Sequence, residues 1–555
     1  MSNFSIKKLF KNQWSYVYAG VLFAVAQMIY MIGIYLYKAG LIEKATKAGD
    51  LNALKKIGEN TLMHISVTTD LGRMFRGLEV FLNNIFGTYS EFYGNYGVDA
   101  AGQIIPEGGV FTPGMGWPIL GMILGGWIVT MMEGETRAWA HYSKKALIVS
   151  FIGGAFFSYG TRIAGGCTLT HLMGGIPFMG IRSFGSVIFM AMGGALGFLV
   201  MEKLGLANYF KHQETKAYVI ANKDKGEQAT YKEGYNWKKN PVFWIALSFT
   251  VIFLTAALYG ALSDADSMKH LSGGKLLAFG KSVADKNGLF VFMTLLAGIV
   301  AGIALSKSGY GTECSLVSLE TAGDMTKADE KYAKMGVPKI TRTLMRSYSP
   351  IIGVVTTWVL MLAFMLVAWT FFDISPRLGT GLKAGLTVGN FLGGLSLGFG
   401  AVTLIGCEIR SYMRIGMGYI NTLVGFMGFA VGYLPYTLFS HAHHDFLNAT
   451  VIFGTHDDGT PGWISDKREI YSLISDDVTV QKIIMFVWML LLIFFLRHLL
   501  KKGSKNIGLK PVQLIHLNTE SIQGIIEKEQ KDGKIGSVDA PMPVPEGSYP
   551  ENYNN

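Results

Sequence analysis

Long apolar runs separated by shorter polar stretches set the pattern of this chain. About 20 apolar residues in a helix cross the roughly 30 Å of bilayer hydrocarbon. Ten runs reach or approach that length: 14–37, 117–133, 146–160, 183–201, 241–260, 290–306, 350–372, 384–400, 417–437 and 482–499. The first follows Lys7, Lys8 and Lys11. It is too long for a signal-peptide core and no small-residue cleavage site follows it, so it reads as a first transmembrane helix.

Lys and Arg in the connecting segments predict orientation. Residues 202–240 carry eight lysines and 323–349 carry six Lys or Arg, whereas 440–480 carries seven acidic residues. Segments 1–13, 134–145, 202–240, 323–349 and the tail beyond 500 are therefore expected on the cytoplasmic side, with both termini. Segments 38–115, 261–288, 373–383 and 440–480 are expected outside.

Composition agrees with a membrane chain. Of 555 residues, 50% are hydrophobic, 16% are charged and 69 are glycine. Glycine lets membrane helices approach closely. The net charge of +10 lies in the loops, with no basic stripe or nucleic-acid motif, so no nucleic-acid partner is expected. The Walker-like GGKLLAFGKS at 273–282 has the wrong glycine spacing, and no HExxH or GxSxG is present. No cofactor, metal site or enzymatic activity is expected. His441, His443, His444 and Asp445 read as a solvated loop cluster.

Two stretches align without a gap at an offset of 240. Residues 151–167 read FIGGAFFSYGTRIAGGC and 391–407 read FLGGLSLGFGAVTLIGC. One Phe, four glycines and the cysteine are identical. The two flanking helices are expected to run in opposite directions, the pattern of inverted repeats with a midplane site. Segments 163–180, 402–415 and 308–322 are too short and broken to span. They read as re-entrant half-helices, which are tolerated where buried or lining a cavity. A fourth is expected near 63–86. The expected fold is an all-α polytopic membrane protein with about ten transmembrane helices plus re-entrant half-helices, in two inverted-topology repeats. Its parts are a first half (1–201), a linker (202–240), a linking helix and loop (241–289), a second half (290–437), an external loop with the last helix (438–500) and a flexible tail (501–555).

The three cysteines, Cys167, Cys314 and Cys407, all fall on the broken segments. A lone cysteine is usually a small buried hydrophobe. Three of three at such breaks suggest a soft, polarisable path suited to sulfur or selenium. Gly166 and Gly406 beside two of them let the backbone approach a ligand. Ionisable residues inside the membrane are functional candidates: Arg162 and Arg182 flank the first segment, Glu313 and Glu408 adjoin Cys314 and Cys407, and Arg410 and Arg414 follow. Thr168 and His171 share the Cys167 segment.

These segments resemble the YeeE/YedE family of bacterial inner-membrane sulfur-transport proteins. GGCTLTHLMGG at 165–175 is similar to the family's GGCT-x-x-H motif, and GFGAVTLIGCEIRSYMR at 398–414 and GYGTEC at 309–314 resemble its YedE branch. The resemblance covers roughly 115–440. It implies uptake of a thiosulfate-like anion by S–H···S hydrogen bonds along Cys167, Cys314 and Cys407 through a narrow centre. It also implies a bacterial inner-membrane location and a soluble cytoplasmic sulfur-carrier partner. Glu408 stands where the thiosulfate pattern has Thr, which leaves a selenium compound as the alternative cargo. A membrane sulfur-transfer enzyme using a cysteine persulfide is a further alternative.

Overall fold

The structure of the chain, a computed structural model, describes residues 14–49, 60–65, 116–133, 144–204, 288–308, 339–376, 386–404, 406–438 and 469–518, with short pieces at 51, 67, 71, 97–98, 104–105, 244, 247–248, 251, 451–453 and 521–522. The described residues are mostly helical. The helices are α1 (Tyr16–Lys47), α2 (Trp117–Glu133), α3 (Lys144–Ile163), α4 (Ile181–Lys203), α5 (Gly288–Ser308), α6 (Lys339–Arg346), α7 (Ser349–Phe372), α8 (Val388–Leu404), α9 (Glu408–Gly416), α10 (Ile420–Leu438), α11 (Ile470–Ile474), α12 (Val478–Asn506) and α13 (Pro511–Ile515). A π-helix, Leu169–Gly175, lies between α3 and α4. Two short antiparallel pairs join β1 (Gly97–Val98) to β2 (Ile104–Ile105) and β3 (Leu386–Thr387) to β4 (Val451–Phe453).

Among the described residues, six helices are long and apolar enough to cross a membrane: Tyr16–Lys47, Ile181–Met201, Phe290–Ser308, Ser349–Phe372, Val388–Gly416 and Val478–Asn506. Trp117–Met132 and Leu147–Ile163 are shorter apolar helices. The apolar run expected at 241–260 lies largely outside the described residues. The helix expected at 482–499 is longer, because Asp477 caps its start by accepting from the Thr479 N–H at 2.7 Å. Ile188, Met192 and Leu199 of α4 and Phe486, Leu490, Leu491 and Phe494 of α12 are exposed. Such apolar faces are rarely left to water. They suit hydrocarbon, where the helix already satisfies its own backbone.

Glycine sets the closest helix contacts. Helix α3 packs on α8 and α10, and α8 packs on α4. A Cβ on Gly400 would lie 2.7 Å from the Gly153 carbonyl oxygen, and one on Gly160 would lie 2.7 Å from that of Gly393. Early α3 therefore meets late α8, and late α3 meets early α8, so the two helices are antiparallel. Between these contacts the Ser396 hydroxyl donates to the Phe156 carbonyl at 2.8 Å. Positions 156 and 396 are matched by the 240-residue offset.

The described helix ends and connections fall into two groups. In one, Leu62 N–H bonds the Ser375 carbonyl, Ile470 N–H bonds that of Met179, and the Tyr471 hydroxyl donates to Pro376. Asp373, Glu469, Asp476 and Asp477 belong to this group. In the other, Trp14 N–H bonds the Lys307 carbonyl, and Arg346 and Asn506 exchange side-chain to backbone bonds at 3.2 and 3.0 Å. Lys307, Arg342, Arg346, Lys501, Lys502 and Lys505 belong there.

Candidate functional site

The first thiol sits where α3 stops. Gly165 adopts a left-handed φ of 74°, a conformation glycine takes without a Cβ penalty. The chain then turns through Gly166, whose N–H bonds the Thr161 carbonyl at 3.0 Å, and enters the π-helix. A Cβ on Gly166 would lie 2.7 Å from Thr170 and 3.0 Å from His171 Nε2. Cys167 is fully buried, with its sulfur 3.4 Å from the Thr170 hydroxyl. The π register is held from outside. Trp358 Nε1–H of α7 donates to the Leu172 carbonyl at 2.8 Å, and Gly174 packs under the His64 ring. Short π-helical turns recur at functional sites.

The second thiol repeats this turn 240 residues on. Gly406 N–H bonds the Ala401 carbonyl at 3.0 Å, as Gly166 does with Thr161. Ser411 N–H bonds the Cys407 carbonyl at 2.8 Å, as His171 N–H does with Cys167 at 2.9 Å. Here the following segment is the α-helix α9, with Cys407 at its N-cap. Cys407 is fully buried, and neither it nor Cys167 is in a disulfide. A Cβ on Gly406 would lie 3.6 Å from Arg414 Nη1, so the guanidinium lies against the Cys407 turn. Arg414 also stacks over Tyr419 at 5.6 Å.

The two turns meet. The Cys167 thiol interacts directly with the side chain of Glu408, the first residue of α9. Glu408 is fully buried, and its Oε1 accepts from the Tyr412 hydroxyl at 2.6 Å. Its Oε2 and the buried hydroxyls of Thr168 and Ser411 have no hydrogen-bond partner among the described residues. Buried polar atoms are normally paired, so this cluster has spare capacity for a polar guest. A thiol and a carboxyl can hold a small polarisable group by hydrogen bonds alone.

The other candidates divide. His171 is buried, with Nδ1 3.3 Å from the Ser183 hydroxyl, and Arg182 acts on it electrostatically. Arg162 is placed over the rings of Tyr433 and Tyr436, at 4.6 and 5.2 Å, a cation–π setting. Cys314 and Glu313 lie outside the described residues, as does most of the half-helix expected near 63–86. Within 60–65, however, His64 enters the core and packs on the π-helix, 4% exposed. Gln27 of α1 reaches the same place. Neither stands out as chemistry in the sequence, although Gln27 is a polar residue inside an apolar run. Among the described residues no group of three His, Cys, Asp or Glu side chains is arranged to hold a metal ion.

Comparison with known proteins adds one match. Residues 2–196 match the model of a family described as sulphur transport. That span contains Gln27, His64, Cys167, Thr168, His171 and Arg182. No curated protein and no solved structure matches the chain.

Proposed function

With residues 2–196 matching the model of a sulphur-transport family, we propose that the chain carries a thiosulfate-like anion across a bacterial inner membrane. The terminal sulfur of the anion is handed between buried thiols by S–H···S contacts, with no covalent step. Cys167 receives it and Cys407 passes it on, with Cys314 as a further station. The observation that carries this reading is the meeting of the Cys167 thiol with Glu408 in a buried cluster that has unpartnered polar atoms.

Each residue has a task in this scheme. Thr170 and Glu408 hold the Cys167 thiol in place and exchange hydrogen bonds with it while the guest is absent. Thr168 and Ser411 offer hydroxyls to the anion's oxygens. Arg414 beside the Cys407 turn balances the anion's charge after it passes the first thiol, and Gly166 and Gly406 keep the passage narrow but open. Arg162, spread over two tyrosines, serves packing and adds positive potential near the first turn.

The reading as two inverted halves is supported by the antiparallel glycine contacts of α3 and α8 and by the matched hydrogen bonds at 161–171 and 401–411. Cytoplasmic termini are supported by the basic end that contains Trp14 and α12's last turn, since Lys and Arg favour the inner face. The opposite end, with residues 60–65 and 373–376, is then the entry side.

A second reading keeps the same residues but makes Cys407 a persulfide carrier in sulfur transfer. The Arg414 guanidinium beside its turn favours a thiolate there. Growth on thiosulfate of cells lacking other sulfate and thiosulfate uptake, with and without this protein, tests the proposal. Growth that depends on the protein supports thiosulfate. Growth without dependence, together with protein-dependent uptake of labelled selenite, moves the cargo to selenium. A persulfide mass on Cys407 in the purified protein would replace transport with transfer.

A further inference from the structure

Two buried side chains outside the thiol cluster point to a second station. Gln27, in the middle of α1, is fully buried. Its Oε1 accepts from the Ile65 N–H at 2.9 Å, and its Nε2 has no hydrogen-bond partner among the described residues. His64 is 4% exposed. Its Nδ1 lies 3.0 Å from the Ile65 carbonyl, and its Nε2 also has no partner among the described residues. Both side chains are thus tied to one residue, Ile65. The His64 ring lies on Gly174, at the end of the π-helix that begins beside Cys167, with Phe178 edge-on at 5.5 Å.

The chemistry follows from which atoms are committed. A carbonyl only accepts, so Nδ1 of His64 carries the hydrogen and Nε2 of the neutral ring presents a lone pair. The Gln27 amide presents N–H. An open donor and an open proton acceptor, both on side chains tied to Ile65 and out of water, suit an anion bound together with a proton. Taking the proton on Nε2 gives an imidazolium whose second N–H points at the anion. The titratable group facing this ring from the packed π-helix is His171, itself next to Arg182.

We infer that Gln27 and His64 form an oxyanion station on the entry side of Cys167, which binds the oxygen end of the cargo together with one proton taken from solvent onto His64 Nε2. The inference rests on the transport reading above and adds to it a site and a proton. It assigns the sulfur end to Cys167 and the oxygen end to Gln27 and His64.

Calorimetric titration of the purified full-length protein with thiosulfate, in two buffers of different ionisation heat, tests it. The wild type is expected to bind with net proton uptake. His64→Gln, which keeps a donor but cannot be protonated, is expected to bind about tenfold more weakly and without proton uptake, and Gln27→Met about tenfold more weakly with the proton retained. Wild-type binding without proton uptake overturns the inference and leaves transport standing. So does wild-type-like binding and proton uptake by both variants. No thiosulfate binding by the wild type overturns both.

Discussion

The Cys167 thiol and the Glu408 carboxyl, drawn from opposite halves of the chain, interact in a site closed to solvent. Each sits beside a broken helix, and the contact brings the two breaks together. The Tyr412 hydroxyl completes the group by donating to Glu408 at 2.6 Å. Removing that donor leaves a buried carboxyl oxygen without its partner, which costs about 1–3 kcal/mol. Tyr412→Phe is therefore expected to lower the thermal unfolding midpoint in detergent, while Tyr412→Phe with Glu408→Leu recovers part of the loss. An unchanged midpoint in the single variant would show that the bond does not hold the site.

Arg414 lies against the Cys407 turn. Its guanidinium is expected to favour the anion on the inner side of the first thiol. Arg414→Gln should raise the KM for thiosulfate uptake by roughly tenfold, the size of one hydrogen bond to a charged group, with a well-folded protein. Equal KM in wild type and variant would remove Arg414 from the path.

Asn390 ties the two halves near the first turn. Its Nδ2 donates to the Ala164 carbonyl at 2.7 Å and the Ser186 hydroxyl at 3.1 Å, and its Oδ1 accepts from the Thr387 N–H at 2.8 Å. Asn390→Leu should destabilise the protein by about 1–3 kcal/mol or more, since several buried groups lose partners at once. Denaturant or thermal unfolding, read by tryptophan fluorescence, checks it.

Glycine contacts give a paired prediction. A side chain at Gly154 would collide with the Gly425 backbone of α10, which cannot move aside as a flexible side chain would. Gly154→Val should therefore cost about 1–3 kcal/mol through overpacking. Gly40, exposed on α1 with nothing within 4 Å of a built Cβ, is the control. Gly40→Ala should leave stability unchanged or raise it by up to about 1 kcal/mol, through better helix propensity. The reverse order of the two variants would contradict the close α3–α10 packing.

The long apolar helices among the described residues are legible because each reflects a local property, a run of apolar residues of the right length. So are the two cysteine turns, since Gly166, Cys167, Gly406 and Cys407 keep register over the 240-residue offset. What could not be read was anything set by distant partners. Residues 169–175 form a π-helix held by Trp358 and His64, and no local pattern distinguishes it from the α-helix α9 at the matching position. The Cys167–Glu408 contact depends on how the halves dock. His64 and Gln27 gain their meaning only where both reach Ile65. Arg162 is a functional candidate from its place in the chain alone, whereas the rings of Tyr433 and Tyr436 that it faces are supplied by α10.

Uptake of labelled thiosulfate into proteoliposomes by the wild type, Cys167→Ala and Cys407→Ala tests the thiol path most directly. Protein-dependent uptake that falls to the level of empty liposomes in each single variant, with the variants unfolding at the wild-type temperature, is the result expected. Wild-type rates in a Cys167→Ala, Cys407→Ala double variant would contradict it.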